Sequence, residues 1–307
     1  MSFASGALTA VRDKILITGA SGLLGQYLCS HLSRQGNEIA GFWRTHEILA
    51  GDISKIHIDL LDFVRVEDEI IRFAPTHVIH CAGLTDVDEC ERNEELAEKL
   101  HVNLSKIVAE SAQKVKSRMI HISTDHLWDG TKAMVTEETP LSPVNAYGRT
   151  KGKAEEAVLR TAPNSLVIRT NFFGDGLPWR HSFSDWVHKK LLKKELINAF
   201  SDVYYTPISL FHLAKMIESL IARSAQGVFH VAGADRVSKY EAAIALARHY
   251  GYPAKTITPV LAEAVPLVAR RPRDMSLNTS KCSGFLKMPM PDLSSGIKTL
   301  TGACMTT

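Results

Sequence analysis

Two side chains suited to proton transfer, Tyr147 and Lys151, stand four residues apart at the start of a predicted helix over residues 145–161. Side chains at positions i and i+4 project from the same face of a helix. A tyrosine normally titrates near ~10, and a neighbouring ammonium favours the phenolate and lowers that pKa. Such a pair can donate a proton to a carbonyl during reduction and remove one during oxidation. The same spacing also occurs on ordinary solvated helices, so it needs support from other residues.

Hydroxyl groups close the strand that precedes this helix. The segment RMIHIST (118–124) predicts a strand that ends in Ser123 and Thr124. Ligands of open α/β sheets bind at the carboxyl ends of the strands. A hydroxyl placed there can hold and polarise the carbonyl oxygen that Tyr147 protonates. Ser123, Thr124, Tyr147 and Lys151 are therefore candidate catalytic residues.

A glycine-rich turn, TGASGLLG (18–25), follows the first predicted strand and precedes an amphipathic helix. Gly19 permits a tight turn, Gly22 lets a pyrophosphate approach the backbone, and Gly25 lets the helix pack close to the strand. Phosphate would lie on the free N–H groups at the helix N-terminus. The spacing G-x-x-G-x-x-G is one residue longer than the common fingerprint, but its context favours dinucleotide binding over a structural turn. The other candidate cofactor contacts in this turn are Ser21, Leu23 and Leu24.

The end of the second strand bears on which dinucleotide binds. An acid there would hold the ribose 2′-hydroxyl of NAD, whereas an arginine would suit the 2′-phosphate of NADP. The sequence has no acid at this point and one arginine, Arg44, which favours NADPH with NADH as the alternative. Arg44 could also be an ordinary surface residue. Asp59 and Leu60 follow the third strand, where they could lie against the adenine or form a strand-end turn.

Strands and helices alternate through the first 170 residues. Strands are predicted at 14–18, near 38–42 and 55–58, at 76–83, 118–124 and 165–170, and helices at 23–34, 64–73, 93–115 and 145–161. This alternation predicts an α/β fold with a Rossmann-type doubly wound parallel sheet and right-handed crossovers. Beyond about residue 172 the pattern weakens, with short helices near 184–194, 209–222 and 238–250. We therefore expect a flexible N-terminus (1–13), a dinucleotide-binding domain (14–171) and a smaller, mainly substrate-binding C-terminal lobe (172–307).

The composition of the chain excludes several classes of partner. The 307 residues are 45% hydrophobic and 22% charged, and 36 basic against 33 acidic side chains give a formal charge of +3. So small a charge predicts no nucleic-acid or membrane partner. No signal peptide or membrane span is evident, and the five cysteines form no C-x-x-C pair, so we expect a cytoplasmic protein with reduced thiols. No H-E-x-x-H is present, which predicts no catalytic metal.

Several segments together resemble the extended short-chain dehydrogenase/reductase family. They are TGASGLLG, CAGLTDVDECE (81–91), HVN (101–103), ISTDHLWDG (122–130), PLSPVNAYGRTK (140–151) and ARRPRDMSLNTSK (269–281). Within that family they are most similar to the dTDP-4-dehydrorhamnose reductase group of dTDP-rhamnose and deoxysugar biosynthesis. The resemblance implies an NAD(P)H-dependent reductase of a nucleoside-diphospho-4-keto-6-deoxy sugar. Relatives are often dimers, so a homodimer is compatible with it.

The resemblance also implies roles for individual residues. Cys81, Ala82 and Gly83 would line the cofactor, and Thr85 would lie beside its ribose and the substrate. Asn103 would support the active-site lysine. Thr124 or Ser123, Tyr147 and Lys151 would form the catalytic set, and Tyr147 and Lys151 would also contact the cofactor. The implied substrate contacts are Thr85, Asp125, His126, Asn171 and Arg271, with Arg271 facing the phosphates unless it is a surface residue.

Departures from the family pattern leave alternatives open. His126 stands where these reductases usually carry tyrosine, and Trp128 replaces a phenylalanine. Both border the expected substrate pocket and leave the identity of the sugar undecided. Related dehydratases carry Thr-Asp-Glu, so His126 removes their general base. A sugar-nucleotide epimerase, and an NADP-binding non-catalytic subunit like the β subunit of methionine adenosyltransferase, remain alternatives.

Overall fold

The computed structural model describes residues 12–302. Residues 1–11 of the expected flexible N-terminus, and Cys304, lie outside this range. The strands are β1 (Lys14–Thr18), β2 (Glu38–Trp43), β3 (Ser54–His57), β4 (His77–His80), β5 (Arg118–Ile122), β6 (Leu166–Arg169), β7 (Phe172–Phe173), β8 (Ile197–Phe200), β9 (Tyr204–Tyr205), β10 (Ile208–Ser209), β11 (Gly227–His230), β12 (Val237–Ser238) and β13 (Ile257–Val260).

Helices connect and cover these strands. They are α1 (Leu23–Arg34), α2 (Phe63–Phe73), α3 (Val87–Arg92), α4 (Glu94–Glu98), α5 (Leu104–Lys114), α6 (Ala146–Thr161), α7 (Phe183–Leu192), α8 (Leu210–Ala222), α9 (Lys239–His249), α10 (Ser280–Leu286) and α11 (Leu293–Ile297). A π-helical turn, Lys99–Asn103, joins α4 to α5, and short 3₁₀ turns occupy Ala254–Thr256 and Ala262–Ala264.

A seven-stranded parallel sheet organises the molecule. Its strand order is β11-β6-β5-β4-β1-β2-β3, and every neighbouring pair is parallel. The order reverses between β1 and β4, which is where a doubly wound sheet opens a crevice for ligands at its carboxyl edge. The predicted Rossmann-type α/β fold is thus confirmed.

Helices bury both faces of the sheet, which explains why its central strands are mostly apolar and almost fully buried. Successive side chains of a strand point to opposite faces. In β1, Ile15 and Ile17 pack with the cluster that contains α1 and α8, whereas Leu16 packs with α2, α5 and α6. All three are at most 2% exposed. The sheet is therefore the rigid layer from which the loops at its carboxyl edge project.

The second half of the chain contributes to the sheet as well as to a separate layer. Helix α8 packs on α1, and β11 extends the sheet beside β6. The rest builds a smaller lobe from three strand pairs, β7 with β10, β9 with β12 and β8 with β13, around a core that includes Phe173, Val187 and Leu246. Helix α8 and strand β11 (residues 210–230) thus return to the sheet, and α10 packs in the same core through Cys282 and Leu286. The predicted substrate role of the remaining lobe stays a prediction.

Surface and cysteine features of residues 12–302 complete the description. None of their helices combines the length and the apolar character needed to cross a bilayer. The cysteines in this range, Cys29, Cys81, Cys90 and Cys282, are free thiols.

Neutral histidines lie inside the sheet near its carboxyl edge. His80 hydrogen-bonds Thr18 Oγ1 at 2.6 Å and Ser105 Oγ at 3.0 Å, and its ring stacks on His121 with 5.4 Å between centroids. Both ring nitrogens of His121 are buried without a hydrogen-bond partner. Burial, with the nearby Lys151 charge, holds the pKa of His121 well below its usual value. The unfolded chain therefore binds a proton near pH 6.5 that the folded chain rejects.

We expect His121→Leu to reduce the acid sensitivity of the fold. A histidine whose pKa is lowered by folding contributes stability above its unfolded pKa of about 6.5 and loses it as the pH falls. Between pH 7.5 and 5.0 one such group removes about 2 kcal/mol of unfolding free energy. Leucine keeps the volume without the unpaired nitrogens, so urea titrations should show a smaller difference between the two pH values. Exposed His249→Leu is the control, and an unchanged pH dependence in His121→Leu would contradict the analysis.

Candidate active site

A cavity of about 660 Å³ opens at the carboxyl ends of β1, β2, β4, β5 and β6. Residues 170–172, after β6, and 179–181, after β7, also line it. Its lining includes the predicted cofactor contacts Gly19, Ser21, Gly22, Leu23, Leu24, Gly25, Arg44, Asp59, Leu60, Cys81, Ala82, Gly83 and Thr85. It also includes the predicted catalytic and substrate residues Ser123, Thr124, Asp125, His126, Tyr147, Lys151 and Asn171. Residues from separate loops thus meet in one cleft.

The glycine turn has the geometry of a phosphate cradle. Gly19 has φ +66°, and a Cβ there would lie 2.8 Å from the backbone nitrogen of Ala82. A Cβ on Gly25 would lie 2.2 Å from the Gly19 carbonyl oxygen, so α1 can approach β1 only with glycine here. Gly22 caps α1 without a side-chain acceptor, which leaves the first N–H groups of the helix free to bind an anion. The turn therefore fits a dinucleotide diphosphate.

Charged groups stand at the far end of the cavity, beyond β2 and β3. Arg44 Nη1 lies 3.8 Å from Asp59 Oδ1, and both side chains are more than half exposed. The His57 ring bonds the Arg44 carbonyl oxygen at 3.0 Å, which fixes the backbone of this corner. An exposed ion pair of this length is weak. The guanidinium can therefore exchange Asp59 for a phosphate on the ribose, as expected for NADP.

Small residues after β4 form the floor of the cavity. Cys81, Ala82 and Gly83 leave room there, and a Cβ on Gly83 would lie 3.1 Å from the His101 ring. His101 itself is held by Thr150 Oγ1 at 2.7 Å and by the Leu84 carbonyl oxygen at 2.9 Å. Burial lowers the pKa of His101 to about 3, so the neutral ring donates to Leu84 and accepts from Thr150. The floor is thus lined by small residues and by a neutral imidazole.

Tyr147 stands in the first turn of α6, between two imidazoles. The Asn145 side chain caps this helix through the Gly148 N–H at 2.8 Å. The rings of His101 and His126 contact Tyr147 edge-on, with centroids 5.6 Å and 5.5 Å away. A Cβ on Gly148 would lie 2.2 Å from the His126 carbonyl oxygen, so glycine lets the tyrosine reach the end of β5. The phenol is thereby aimed at the cavity.

Burial raises the pKa of Tyr147 to about 12, although a hydrogen bond from Thr124 opposes the shift. The sequence argument expected the Lys151 charge to lower this pKa. In the structure, the Lys151 ammonium instead donates to the Ile122 carbonyl oxygen at 2.7 Å, and burial of the phenol dominates. Tyr147 is therefore a protonated acid over the whole neutral range.

Lys151 is itself buried, with 5% of its surface exposed. Burial lowers the pKa of its ammonium to about 8, and the Glu155 carboxylate partly offsets this effect. Four imidazoles lie near Lys151 and the floor of the cavity, those of His80, His101, His121 and His126. They stay neutral because burial holds their pKa values low. Lys151 thus supplies the positive charge beneath the catalytic edge.

Asp125, the residue after Thr124, is 1% exposed and accepts a hydrogen bond from Asn171 Nδ2 at 2.7 Å. Burial raises the pKa of Asp125 to about 6, while the Lys239 charge and the Asn171 hydrogen bond act in the opposite direction. The backbone N–H of His126 donates to Thr124 Oγ1 at 3.3 Å. Three predicted substrate residues, Asp125, His126 and Asn171, therefore share the space beside the Ser123 and Thr124 hydroxyls.

Two predicted residues do not reach the cavity. Asn103 is exposed, because the π-helical turn Lys99–Asn103 directs His101 rather than Asn103 towards the floor. Arg271 forms an ion pair with Asp88 at 2.9 Å and donates to the Ala269 carbonyl oxygen. It lines no part of this cavity. The structure therefore leaves the predicted support of Lys151 by Asn103, and the phosphate contact of Arg271, without a direct counterpart.

Several lining residues were missed by the sequence argument. They include His46 after β2, His101 before α5, and Trp179, Arg180 and His181 in the connection between β7 and α7. His46 follows Arg44 closely and could have been inferred from it. The connection 174–182 carries no periodic pattern, so only its Gly-Pro punctuation marked it as irregular.

Comparison with known proteins gives one family match and several relatives. Residues 13–304 match the family described as RmlD substrate binding domain. A dTDP-4-keto-6-deoxy-D-glucose reductase of Streptomyces niveus is 29% identical over 85% of this chain and 87% of its own length. The methionine adenosyltransferase 2 subunit beta of Rattus norvegicus is 30% identical, covering 87% of this chain and 81% of that protein.

A solved structure is similar over almost the whole chain. The crystal structure of a hypothetical dTDP-4-dehydrorhamnose reductase from Sulfolobus tokodaii superposes with a TM-score of 0.84 and 33% identity. The match covers 94% of this chain and 99% of that one. The similarity therefore extends to both the sheet and the C-terminal lobe.

Gly22→Ala should separate folding from dinucleotide binding. The only atom near a Cβ at Gly22 is the Gly19 carbonyl oxygen, at 3.2 Å, so the fold should tolerate alanine at a cost of about 1 kcal/mol. The added methyl group would occupy the approach of a phosphate, and the dissociation constant for NADPH should rise by roughly 10- to 100-fold. Fluorescence titration measures the binding and urea unfolding the stability. Gly51→Ala, in open space, is the control; unchanged NADPH affinity in Gly22→Ala would contradict the cradle.

Proposed function

We propose that the chain is an NAD(P)H-dependent reductase of a nucleoside-diphospho-4-keto-6-deoxy sugar. The premise is that the chain belongs to the RmlD substrate binding domain family. The observation that carries this proposal is the convergence of Tyr147, Lys151 and Thr124 with the glycine turn in one cavity. The reductases of Streptomyces niveus and Sulfolobus tokodaii support the same reaction class.

The residues fit NADPH as the cofactor, with NADH as the alternative. The uncapped N-terminus of α1 offers N–H groups to the diphosphate, and Arg44 offers a cation to a 2′-phosphate. When bound, NADPH supplies the hydride for carbonyl reduction. Residues 14–171, together with α8 and β11, would hold this cofactor. The remaining C-terminal lobe would hold the sugar nucleotide.

The side chains of the protein supply the one proton that the reduction requires. Tyr147 donates the proton of its hydroxyl to the carbonyl oxygen of the sugar, and Thr124 hydrogen-bonds that hydroxyl. Lys151, fixed by the Ile122 carbonyl oxygen, supplies a positive charge that stabilises the phenolate left behind. Asp125, Asn171 and His126 bind the hydroxyl groups of the sugar beside the reacting carbon. Ser123 Oγ, buried without a partner, is a further donor for this space.

A regulatory, non-catalytic role is the second candidate, and one observation favours it. The rat methionine adenosyltransferase subunit is as similar in sequence as the reductases. The presence of Tyr147, Lys151 and Thr124 together in the cavity argues for catalysis, since a protein that only binds the cofactor needs none of them. A sugar-nucleotide epimerase would use the same groups without net consumption of NADPH. The expected homodimer and the cytoplasmic location stay predictions.

Purified protein should oxidise NADPH when it is given a dTDP-4-keto-6-deoxy sugar, and Tyr147→Phe should lose roughly 10²- to 10⁴-fold in kcat. The variant keeps the ring contacts with His101 and His126 and lacks only the acidic proton. Absorbance at the NADPH band measures the rate. Tyr240→Phe, on α9 outside the cavity, is the matched control. A Tyr147→Phe enzyme as fast as the parent would refute the assignment, and absence of turnover on every keto sugar would favour the regulatory role.

The reaction should also slow in alkaline solution. Tyr147 stays protonated because its pKa is raised to about 12, whereas Lys151 loses its charge as the pH rises through about 8. We therefore expect kcat/KM to fall above that pH. Lys151→Arg carries a cation that stays protonated, so its residual activity should persist to higher pH. Rates that are level from pH 6 to 10 in the parent enzyme would exclude a required ammonium.

A further inference from the structure

The connection between β7 and α7 forms a small hairpin over the cavity, which we call the clamp hairpin (residues 177–180). The backbones of Leu177 and Arg180 pair through two hydrogen bonds of 2.8 Å and 3.0 Å. Behind it, the Ser184 hydroxyl donates to the Gly174 carbonyl oxygen at 2.7 Å, and the Ser182 N–H donates to Asp185 at 2.7 Å. The hairpin is therefore held at its base by the start of α7.

The tip of the clamp hairpin is fastened to both walls of the cavity. Trp179 Nε1 donates to the Ser21 carbonyl oxygen at 3.2 Å, and its ring stacks on His46 with centroids 4.7 Å apart and planes 9° apart. On the other wall, the Arg180 guanidinium donates to the Thr85 hydroxyl. These contacts fix the position of Arg180 across the mouth of the catalytic end.

Arg180 differs from the other cations of the cavity in being available to a ligand. Three described lining residues are lysines or arginines, namely Arg44, Lys151 and Arg180. Arg44 faces Asp59, and Lys151 is buried against the Ile122 carbonyl oxygen. Within residues 12–302, Arg180 forms no ion pair, and its partner is the neutral hydroxyl of Thr85. A guanidinium has five donors, so most of them remain for an anion.

Arg271, which the resemblance places at the substrate phosphates, is already paired with a carboxylate. Arg271 pairs with Asp88 at 2.9 Å, and the Asp88 carboxylate also accepts the Ala269 N–H at 3.0 Å. The Ala269 N–H hydrogen bond and the Arg271 cation outweigh the effect of desolvation and lower the pKa of Asp88, as expected for a carboxylate that stays ionised. Freeing Arg271 for a ligand would leave a carboxylate without its partner. The anion therefore has a better site elsewhere in the cleft.

We propose that Arg180, presented by the clamp hairpin, binds the diphosphate of the sugar nucleotide at the mouth of the catalytic end. This inference rests on the proposed function for its substrate class. A guanidinium binds a diphosphate through parallel hydrogen bonds that a lysine cannot reproduce. With the diphosphate held there, the attached sugar reaches inward to Thr124 and Tyr147.

Two diphosphates could meet this guanidinium, and the geometry favours that of the substrate. The cofactor diphosphate has its own cradle at the glycine turn, where the free N–H groups of α1 gather. Arg180 instead touches Thr85, which follows β4 and which the resemblance places beside both the cofactor ribose and the substrate. Its charge also acts on the Tyr147 hydroxyl, where it helps to lower a pKa that burial raises. Arg180 thus faces the place where the keto sugar must lie.

The test measures the binding of two ligands separately. With Arg180→Ala, the dissociation constant for dTDP, measured by calorimetry with saturating NADPH, should rise by roughly 10- to 100-fold. The dissociation constant for NADPH alone should stay within about twofold. The dissociation constant of Arg180→Lys for dTDP should lie between those of the parent and Arg180→Ala, because lysine keeps the charge but lacks the paired donors of a guanidinium. In turnover, the loss should appear mainly in KM for the keto sugar.

Matched variants distinguish a substrate diphosphate site from a cofactor contact or a general charge effect. Arg92→Ala, which removes an exposed arginine paired with Glu89 outside the cavity, should change neither constant. Weakened NADPH binding with unchanged dTDP binding would assign Arg180 to the cofactor and overturn the proposal. A larger loss of dTDP affinity in Arg271→Ala than in Arg180→Ala, or equal affinity in Arg180→Ala and the parent, would overturn it as well. If Arg180→Ala unfolds, Arg180→Gln replaces it in the same assay.

Failure of this inference is distinguishable from failure of the proposed function. A parent protein that binds dTDP through Arg180 but reduces no keto sugar would leave the diphosphate site intact and end the reductase assignment. If the parent protein reduces keto sugars and Arg180→Ala equals it in KM and dTDP affinity, the reductase assignment would stand and the diphosphate site at Arg180 would be ruled out.

Discussion

The close approach of the first turn to the end of β4 is the constraint on which the site depends. Gly19 adopts a positive φ, and its missing side chain lets the backbone pass beside Ala82 at a distance that no Cβ would allow. Because β1 and β4 are neighbours at the point where the strand order reverses, this contact lies at the bottom of the crevice. The glycine turn, the small residues after β4 and the catalytic strand end are all positioned relative to it.

Electrostatics at this edge follow from burial more than from pairing. The imidazoles around the floor are neutral, the phenol keeps its proton, and the lysine ammonium is charged below about pH 8. A neutral floor suits a flat aromatic ring, and a protonated phenol suits the reduction of a carbonyl. The same burial makes the interior histidines costly to protonate. The free energy of unfolding should therefore fall as the solution becomes acidic.

Much of the fold was readable from the sequence because local patterns and tertiary contacts agree there. The first strand and α1 lie where apolar runs and helical spacing predicted them, since buried parallel strands and amphipathic helices leave strong signals. The Tyr147–Lys151 pair and the glycine turn could also be placed at the cavity from the sequence, because their spacing is set by one helix and one turn. The positions of Asn103 and Arg271 outside the cavity could not be inferred, because they depend on a π-helical turn and on the ion pair with Asp88. Arg180 left no signal, since its position depends on Trp179 and His46, far apart in sequence.

The return of β11 and α8 to the sheet limits how the molecule could be taken apart. A chain cut after residue 171 would lack an edge strand and would uncover the side of α1 on which Leu213 and Ile217 pack. The two halves are therefore interlaced rather than joined end to end. A substrate lobe therefore cannot be exchanged by recombination at a single junction, because the segments that pack on the sheet, α8, β11 and α10, alternate along the chain with those that build the lobe.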